Sequence, residues 1–292
     1  MKNTVRLKQL LKDKSLLVAP GAFDVLSARI IEMAGYQAVY MTGYGTSASV
    51  IGQPDVGLLT MSEMAERARN IASAVDVPVI ADGDTGFGNP LNVIRTVRAY
   101  ESAGAAGIQL EDQVFPKRCG HMIGRRVIAK EEMIQKIKAA ADARRDDDFV
   151  IIARTDARTT LGLEQALERG RTYAEAGADV LFIESPESVD ELRQIAQAFP
   201  NIPTLANMIE GGRTPFLPTQ QLEALGFAIA IYPTGPLYAA AKSVYRYLEE
   251  LRNTGTTAAR VADMVPFDEF NKLIGLPRYN DLEQRYAVAS AA

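Results

Sequence analysis

The chain has 292 residues, 47% of them hydrophobic, so it can bury a large core as two average domains or as one α/β barrel. Its 32 basic and 36 acidic residues leave a net charge of -4, which excludes any strong electrostatic pull towards nucleic acid or an anionic membrane. A single cysteine excludes an intrachain disulfide framework and suits a reducing cytosol.

From the N-terminus, Met1 to Lys14 carries mixed charge rather than the basic and apolar regions of a secretory signal, and no later apolar run reaches spanning length. A soluble cytoplasmic protein with no membrane partner is expected. Val5–Leu11 reads as an added helix before the first strand. Strands are expected near Leu16–Ala19, Ala38–Met41, Pro78–Ala81 and Gly107–Leu110, then near Phe149–Ala153, Val180–Ile183, Thr204–Ala206 and Ala228–Ile231. Four are preceded by a helical stretch that ends in Ala34-Gly35, Ala103-Gly104, Ala176-Gly177 or Leu225-Gly226. A glycine there supplies the left-handed residue that stops a helix, and the apolar run after it reads as a buried parallel strand. Thr60 with Glu63 and Ser188 with Glu191 have capping-box spacing, and Asn89-Pro90 suits an N-cap followed by the first helical residue. Met61, Met64, Ala65 and Ala68 recur at helical spacing. Eight alternating units without a linker favour a closed (β/α)₈ barrel of the α/β class, forming a single domain over 1–292. The tail from about 254 to 292 exceeds what a barrel needs and is expected to pack on a neighbour.

Polar residues follow the strands: Thr42-Gly43-Tyr44, Asp82-Gly83-Asp84-Thr85, Glu111-Asp112, Arg154-Thr155-Asp156, Glu184, Asn207 and Tyr232. In a parallel barrel these ends share the face that holds active sites. Any one acid there can cap the next helix. Charges at several strand ends, with an arginine among the acids, point instead to a small anionic ligand handled with metal assistance. Asp82 and Asp84 are the metal candidates, because Gly83 permits a turn that converges them, and Glu111 offers a third oxygen. Hard oxygen donors without histidine suit Mg²⁺ or Mn²⁺.

Lys117-Arg118-Cys119-Gly120-His121 lies in a long link between the fourth strand and a helix that begins near Lys130. Such links in compact barrels tend to be lids or binding loops. The only cysteine and only histidine stand two residues apart beside two bases. The cations are expected to favour the thiolate and ease proton exchange by Cys119. An inert cysteine and redox sensing stay open as readings; zinc is poorly supported, since no further Cys or His completes a site.

Together, Asp82-Gly83-Asp84-Thr85-Gly86-Phe87-Gly88, Glu111-Asp112-Gln113 and the Lys117–His121 loop resemble the isocitrate lyase/phosphoenolpyruvate mutase superfamily. The resemblance runs from Pro20-Gly21-Ala22 to the tail, and the cysteine loop resembles that of the lyase branch. It implies a tetramer of barrels whose C-terminal helices are swapped between subunits, with Mg²⁺ held through Asp82 and Asp84 and Glu111 nearby. It also implies that Thr42, Gly43 and Tyr44 grip an α-keto acid, that Arg154 holds its carboxylate, and that Glu184 and Asn207 add substrate contacts. By the same resemblance Tyr40 helps to deprotonate a hydroxyl, and the loop with Cys119, Gly120 and His121 closes over the ligand. The implied reaction cleaves a 2-hydroxy dicarboxylate, such as 2,3-dimethylmalate to pyruvate and propionate, with Cys119 protonating the enolate-like intermediate. The alternatives are 2-methylisocitrate cleavage to pyruvate and succinate, oxaloacetate hydrolysis, a phosphonomutase, and a barrel that binds a dicarboxylate without catalysis. Members that cleave methylisocitrate place an arginine where an ungapped match puts Tyr238, and a tyrosine cannot replace that charge. Members that cleave oxaloacetate carry a serine where this chain has Pro233. Both departures favour a substituted malate.

Overall fold

The computed structural model describes every residue except Lys14, Ile123 and 288–292. The first half of the chain runs α1 (Asn3–Lys12), β1 (Leu17–Ala22), α2 (Val25–Met33), β2 (Val39–Met41), α3 (Gly43–Ile51), α4 (Met61–Ala72), β3 (Val79–Asp82), α5 (Pro90–Ser102) and β4 (Gly107–Glu111). It continues with α6 (Lys130–Ala143), β5 (Val150–Thr155), α7 (Ala157–Leu161), α8 (Leu163–Glu175), β6 (Val180–Ile183), α9 (Val189–Ala198), β7 (Thr204–Asn207), α10 (Thr219–Leu225) and β8 (Ile229–Tyr232). Beyond these come α11 (Gly235–Thr254), a 3₁₀ turn over Ala258–Asp263, α12 (Phe267–Leu273) and α13 (Leu276–Tyr286). The eight strands close in sequence order into a barrel, all neighbours parallel, with Leu17 of β1 opposite Ile229 of β8. The expected (β/α)₈ fold is the observed one.

Local chemistry accounts for the punctuation. Gly35, Gly104, Gly177 and Gly226 all have positive φ, between 89° and 109°, as the helix stops require. Thr60 and Glu63 form a reciprocal capping box, and Asn89 caps α5 with Pro90 at its first position. At α9 only half of the expected box forms: Ser188 accepts from the Glu191 amide at 3.0 Å, while the Glu191 side chain turns to the Glu187 amide at 2.8 Å.

Inside the barrel, alternate residues of each strand face the lumen. Leu17, Ala19, Ile80, Val150, Ile152, Val180, Leu205 and Ile229 pack there in one cluster. Leu7 of α1, fully buried, joins this cluster and closes the N-terminal end of the barrel. A second, larger cluster lies between the strands and the surrounding helices.

The chain divides into two compact units: Met1–Leu237, which holds the barrel, and a second beginning at Tyr238. In the second unit α12 and α13 bury no residue within the chain. The last residues of the expected C-terminal extension, 288–292, lie outside the described residues. Among the described residues no helix is long and apolar enough to cross a membrane.

Candidate active site

The lumen columns end, at the C-terminal rim, in the polar residues that the sequence marks. A cavity of about 30 Å³ opens there, lined by Tyr40, Thr42, Tyr44, Asp82, Cys119, Gly120, His121, Arg154, Glu184, Asn207 and Pro233. Asp55, Lys117, Phe182, Ile209, Ile231 and Thr234 line it as well. Gly43, Asp84 and Glu111 stand outside this lining. Tyr238 belongs to the second unit, in α11, where it is 40% exposed.

Thr42 caps α3, its hydroxyl accepting from the Gly45 amide at 3.2 Å, and so sets the first turn of that helix, Gly43 and Tyr44, at the rim. The Gly43 amide donates to Asp82 Oδ2 at 3.2 Å. A side chain at Gly43 would place its Cβ 2.5 Å from Asp82 Oδ2 and 3.5 Å from Asp84 Oδ1, so the two acids do converge. The turn that brings them together is made by Asp84 itself, at φ 46°, rather than by Gly83. Gly83 is required for packing, since a Cβ there would lie 2.7 Å from Ile108 and 2.8 Å from the Gln109 carbonyl oxygen.

Lys117 is the balancing charge. Its ammonium is 2.6 Å from both Asp55 Oδ1 and Asp84 Oδ1, and it is 2% exposed. Burial works against its charge, but Asp84 and Asp55 push its pKa well up. Burial also raises the Asp84 carboxyl to about 7, against the pull of Lys117. Two desolvated carboxylates side by side call for more positive charge than one lysine brings. Asp84 Oδ1 is buried and no hydrogen bond of good geometry reaches it. Two hard oxygen donors, completed by water and substrate, fit Mg²⁺.

The third expected donor is engaged elsewhere. Glu111 accepts from Gln113 Nε2 at 2.9 Å and lies 3.3 Å from Arg154 Nη1. Burial holds its carboxyl well above the usual range. Among the described residues no three His, Cys, Asp or Glu side chains gather closely enough to hold a metal ion. The pair Asp82–Asp84 is therefore the metal candidate, and Glu111 partners Arg154.

Arg154 is pinned on every side. Its Nε and Nη2 donate to the two oxygens of Asp156 at 3.0 Å each, its Nη2 is 3.3 Å from Glu184 Oε2, and its Cζ sits 5.2 Å over the Phe182 ring. Glu184 is fully buried; Arg154 and His121 outweigh the burial penalty and hold it ionised, well below the usual range. Asn207 Nδ2 donates to Glu184 Oε2 at 3.2 Å. Ser185, in the left-handed region at φ 59°, donates its amide to Glu184 and its hydroxyl to the Gly120 carbonyl at 2.8 Å.

That last bond is one of several that dock the cysteine loop. The Cys119 amide donates to the Asp55 carbonyl at 3.2 Å. Gln113 grips both backbone groups of Arg118, accepting from its amide at 3.0 Å and donating to its carbonyl at 2.8 Å. A Cβ at Gly120 would fall 2.6 Å from Glu184 Oε2, so only glycine lets the loop backbone lie this close. His121 Nδ1 accepts from the Arg213 amide at 3.0 Å, which leaves the proton on Nε2; that atom lies 3.4 Å from Glu184 Oε1 without a hydrogen bond of good geometry.

One expectation needs correction. The cations do not prevail at Cys119: burial outweighs the pull of Arg154 and pushes the thiol up to about 11. Tyr40 is buried and donates its hydroxyl to Gln109 Oε1 at 2.9 Å; burial and the Asp82 charge push the phenol well up, so any part it takes in deprotonating a hydroxyl needs positive charge nearby. Asp55 and Thr234 were missed by sequence reasoning. Asp55 follows a helix rather than a strand, and its only signal was a carboxylate in the turn Gln53-Pro54-Asp55.

The family model described as phosphoenolpyruvate phosphomutase matches residues 7–252. The chain is 57% identical over 287 residues to a 2,3-dimethylmalate lyase of Eubacterium barkeri, covering 98% of this chain and 99% of that one. It is 43% identical to a 2-methylisocitrate lyase of Aeropyrum pernix, covering 97% and 90%. A solved structure of oxaloacetate acetylhydrolase in complex with 3,3-difluorooxalacetate superposes with a TM-score of 0.94 at 36% identity, covering 99% and 98%. With a matching family model over most of its length and relatives at these identities, the chain belongs to the PEP mutase/isocitrate lyase superfamily.

Proposed function

We propose that this chain is a carbon–carbon lyase that cleaves a methyl-substituted malate, best 2,3-dimethylmalate, to pyruvate and propionate. One observation carries the reading: Cys119, on a docked loop, lines the same cavity as Arg154, and burial pushes its thiol up rather than down. A protonated Cys119 is the form that can deliver a proton to carbon. The likeness to the Eubacterium barkeri lyase supports the choice of substrate.

Arg154 orients a substrate carboxylate through a planar, always charged group. Phe182, Ile209, Ile231 and Pro233 give the cavity an apolar side that suits methyl groups rather than a third carboxylate. Mg²⁺, or Mn²⁺, would be held through Asp82 and Asp84, and when bound it supplies Lewis-acid polarisation of the substrate hydroxyl and its neighbouring carboxylate. The substrate hydroxyl gives its proton to a base in the cavity, the part that falls to Tyr40; its oxygen then forms the keto double bond as the C–C electron pair passes to the departing carbon. Cys119 then protonates that carbanion, and the docked loop keeps bulk water from it. Oxaloacetate hydrolysis is less well supported, since Pro233 has no hydroxyl and that of Thr234 donates to Glu210 Oε2 at 2.9 Å.

The reading extends to assembly. Phe267 (82% exposed), Tyr279 (63%) and Tyr286 (70%) are large apolar groups on α12 and α13, which suits packing against a second copy, with a tetramer as the assembly. A free thiol in the chemistry suits a reducing cytosol.

The test is product analysis in Mg²⁺ with 2,3-dimethylmalate, 2-methylisocitrate and oxaloacetate side by side. Pyruvate and propionate from the first, at the highest kcat/KM, is the expected result. Preferred release of succinate from the second would move the substrate, and calorimetric binding of all three without turnover would sink the lyase. Asp84→Asn, which the left-handed backbone accepts, should abolish the heat of Mg²⁺ binding while leaving the melting profile intact.

A further inference from the structure

Arg125 lies on the same loop as Cys119, on the limb that returns to α6, and it is 5% exposed. Its Nη1 donates to Asp156 Oδ1 at 2.5 Å and its Nη2 to Thr159 Oγ1 at 2.7 Å. Its Nε is buried without a hydrogen-bond partner, so the bonds to Asp156 and Thr159 are what offset its desolvation. Asp156 is fully buried and is the same residue that holds Arg154 through both carboxylate oxygens. One carboxylate thus joins two guanidinium groups, one from the barrel wall and one from the loop.

Asp156 is itself held in place by a buried network. Its amide donates to Asp112 Oδ1 at 2.9 Å, and Asp112 Oδ2 accepts from Thr155, Arg169 and Tyr173 at 2.7, 2.9 and 2.8 Å. A two-bond fork from a fixed carboxylate sets the plane of a guanidinium, and here it turns the Nη1 edge of Arg154 towards Glu111. Charge adds to geometry. Arg154 faces Glu111, Asp156 and Glu184, three acids against one cation. Arrival of Arg125 offsets Asp156 and leaves more of the Arg154 field for an incoming anion.

We propose that Asp156 is a positioning residue that couples docking of the Cys119 loop, through Arg125, to the orientation and charge of Arg154. The proposal rests on the reading of Arg154 as the group that receives a substrate carboxylate.

Cys119 is the only cysteine, so its alkylation by iodoacetamide, followed by mass spectrometry, reports loop opening without any need for turnover. Asp156→Asn and Arg125→Met should each speed alkylation by roughly tenfold or more. The double variant should be no more than about twofold faster than the faster single one, because both act through one carboxylate. Arg125→Lys should recover part of the protection. In Mg²⁺ buffer, oxalate should slow alkylation of the unmodified protein, and its affinity should fall by at least roughly tenfold in Asp156→Asn. Unchanged alkylation in both single variants, or effects that multiply in the double variant, would overturn the coupling. Arg125 sits outside the barrel, so its variants test the coupling even where Asp156→Asn fails to fold. Failure of the unmodified protein to bind oxalate would count against the reading of Arg154. Absence of lyase turnover with these alkylation responses intact would remove the proposed reaction and leave the coupling standing.

Discussion

The two ends of the barrel are built from the same columns of residues and serve opposite ends. At the N-terminal end Leu7, Leu17, Val150, Val180 and Ile229 fill the lumen with hydrocarbon, and α1 closes it. At the C-terminal end Asp82, Arg154 and Asn207, on β3, β5 and β7, and Glu184, just past β6, occupy the lumen positions two to four residues further along. Apolar burial needs no partner and stabilises in proportion to area. Buried charge costs free energy unless it is paired, so the C-terminal end is a mesh of ion pairs in which each group fixes the next. Stability is concentrated below and chemistry above, on strands only three to six residues long.

That division can be broken by experiment. The largest effect should come from Cys119→Ser, which removes the proton donor and should lower pyruvate release by about 10²–10⁴-fold. At neutral pH its melting temperature should stay within about two degrees of the unmodified protein. A loss of stability to match the loss of rate would contradict the division. Leu7→Ala should do the reverse: it opens a cavity in the lumen at a cost of about 2–5 kcal/mol, read as a lower urea midpoint. Its KM and kcat, measured below the transition, should not change; a large fall in either would show that the N-terminal plug shapes the site.

The smallest effect concerns pH. In the folded state the Cys119 thiol is raised to about 11, whereas an unfolded thiol titrates near 8.5. A raised pKa contributes stability that is present below the unfolded value and lost as pH rises through the folded one. The unmodified protein should therefore lose roughly 1–2 kcal/mol by pH 10 relative to Cys119→Ser, which has no thiol to ionise. Parallel melting curves for the two proteins across pH 8–11 would show that the loop leaves the thiol in water.

The barrel was legible because its signals are local. Helix-stop glycines, caps and apolar runs each occupy a few adjacent residues, and every expected strand is present. The strand ends were less so: β3, β4, β5, β7 and β8 each run one or two residues beyond the apolar pattern, to Asp82, Glu111, Thr155, Asn207 and Tyr232. Ladder hydrogen bonds continue past the last apolar side chain, so the site residues sit on the strands themselves, where position is held most firmly. The site's polar residues were visible one by one, but their pairing was not. That Glu111 turns to Arg154 and that Lys117 bridges Asp55 and Asp84 are facts of distance between segments far apart in the chain, and the burial that raises the Cys119 thiol depends on the same folding together. No spacing along the chain encodes them.

The loop backbone is docked so near the site that a Cβ at Gly120 would fall 2.6 Å from Glu184 Oε2. Lifting it is the natural way to exchange product for substrate, so throughput should follow a conformational clock, and solvent viscosity is the handle that would show it.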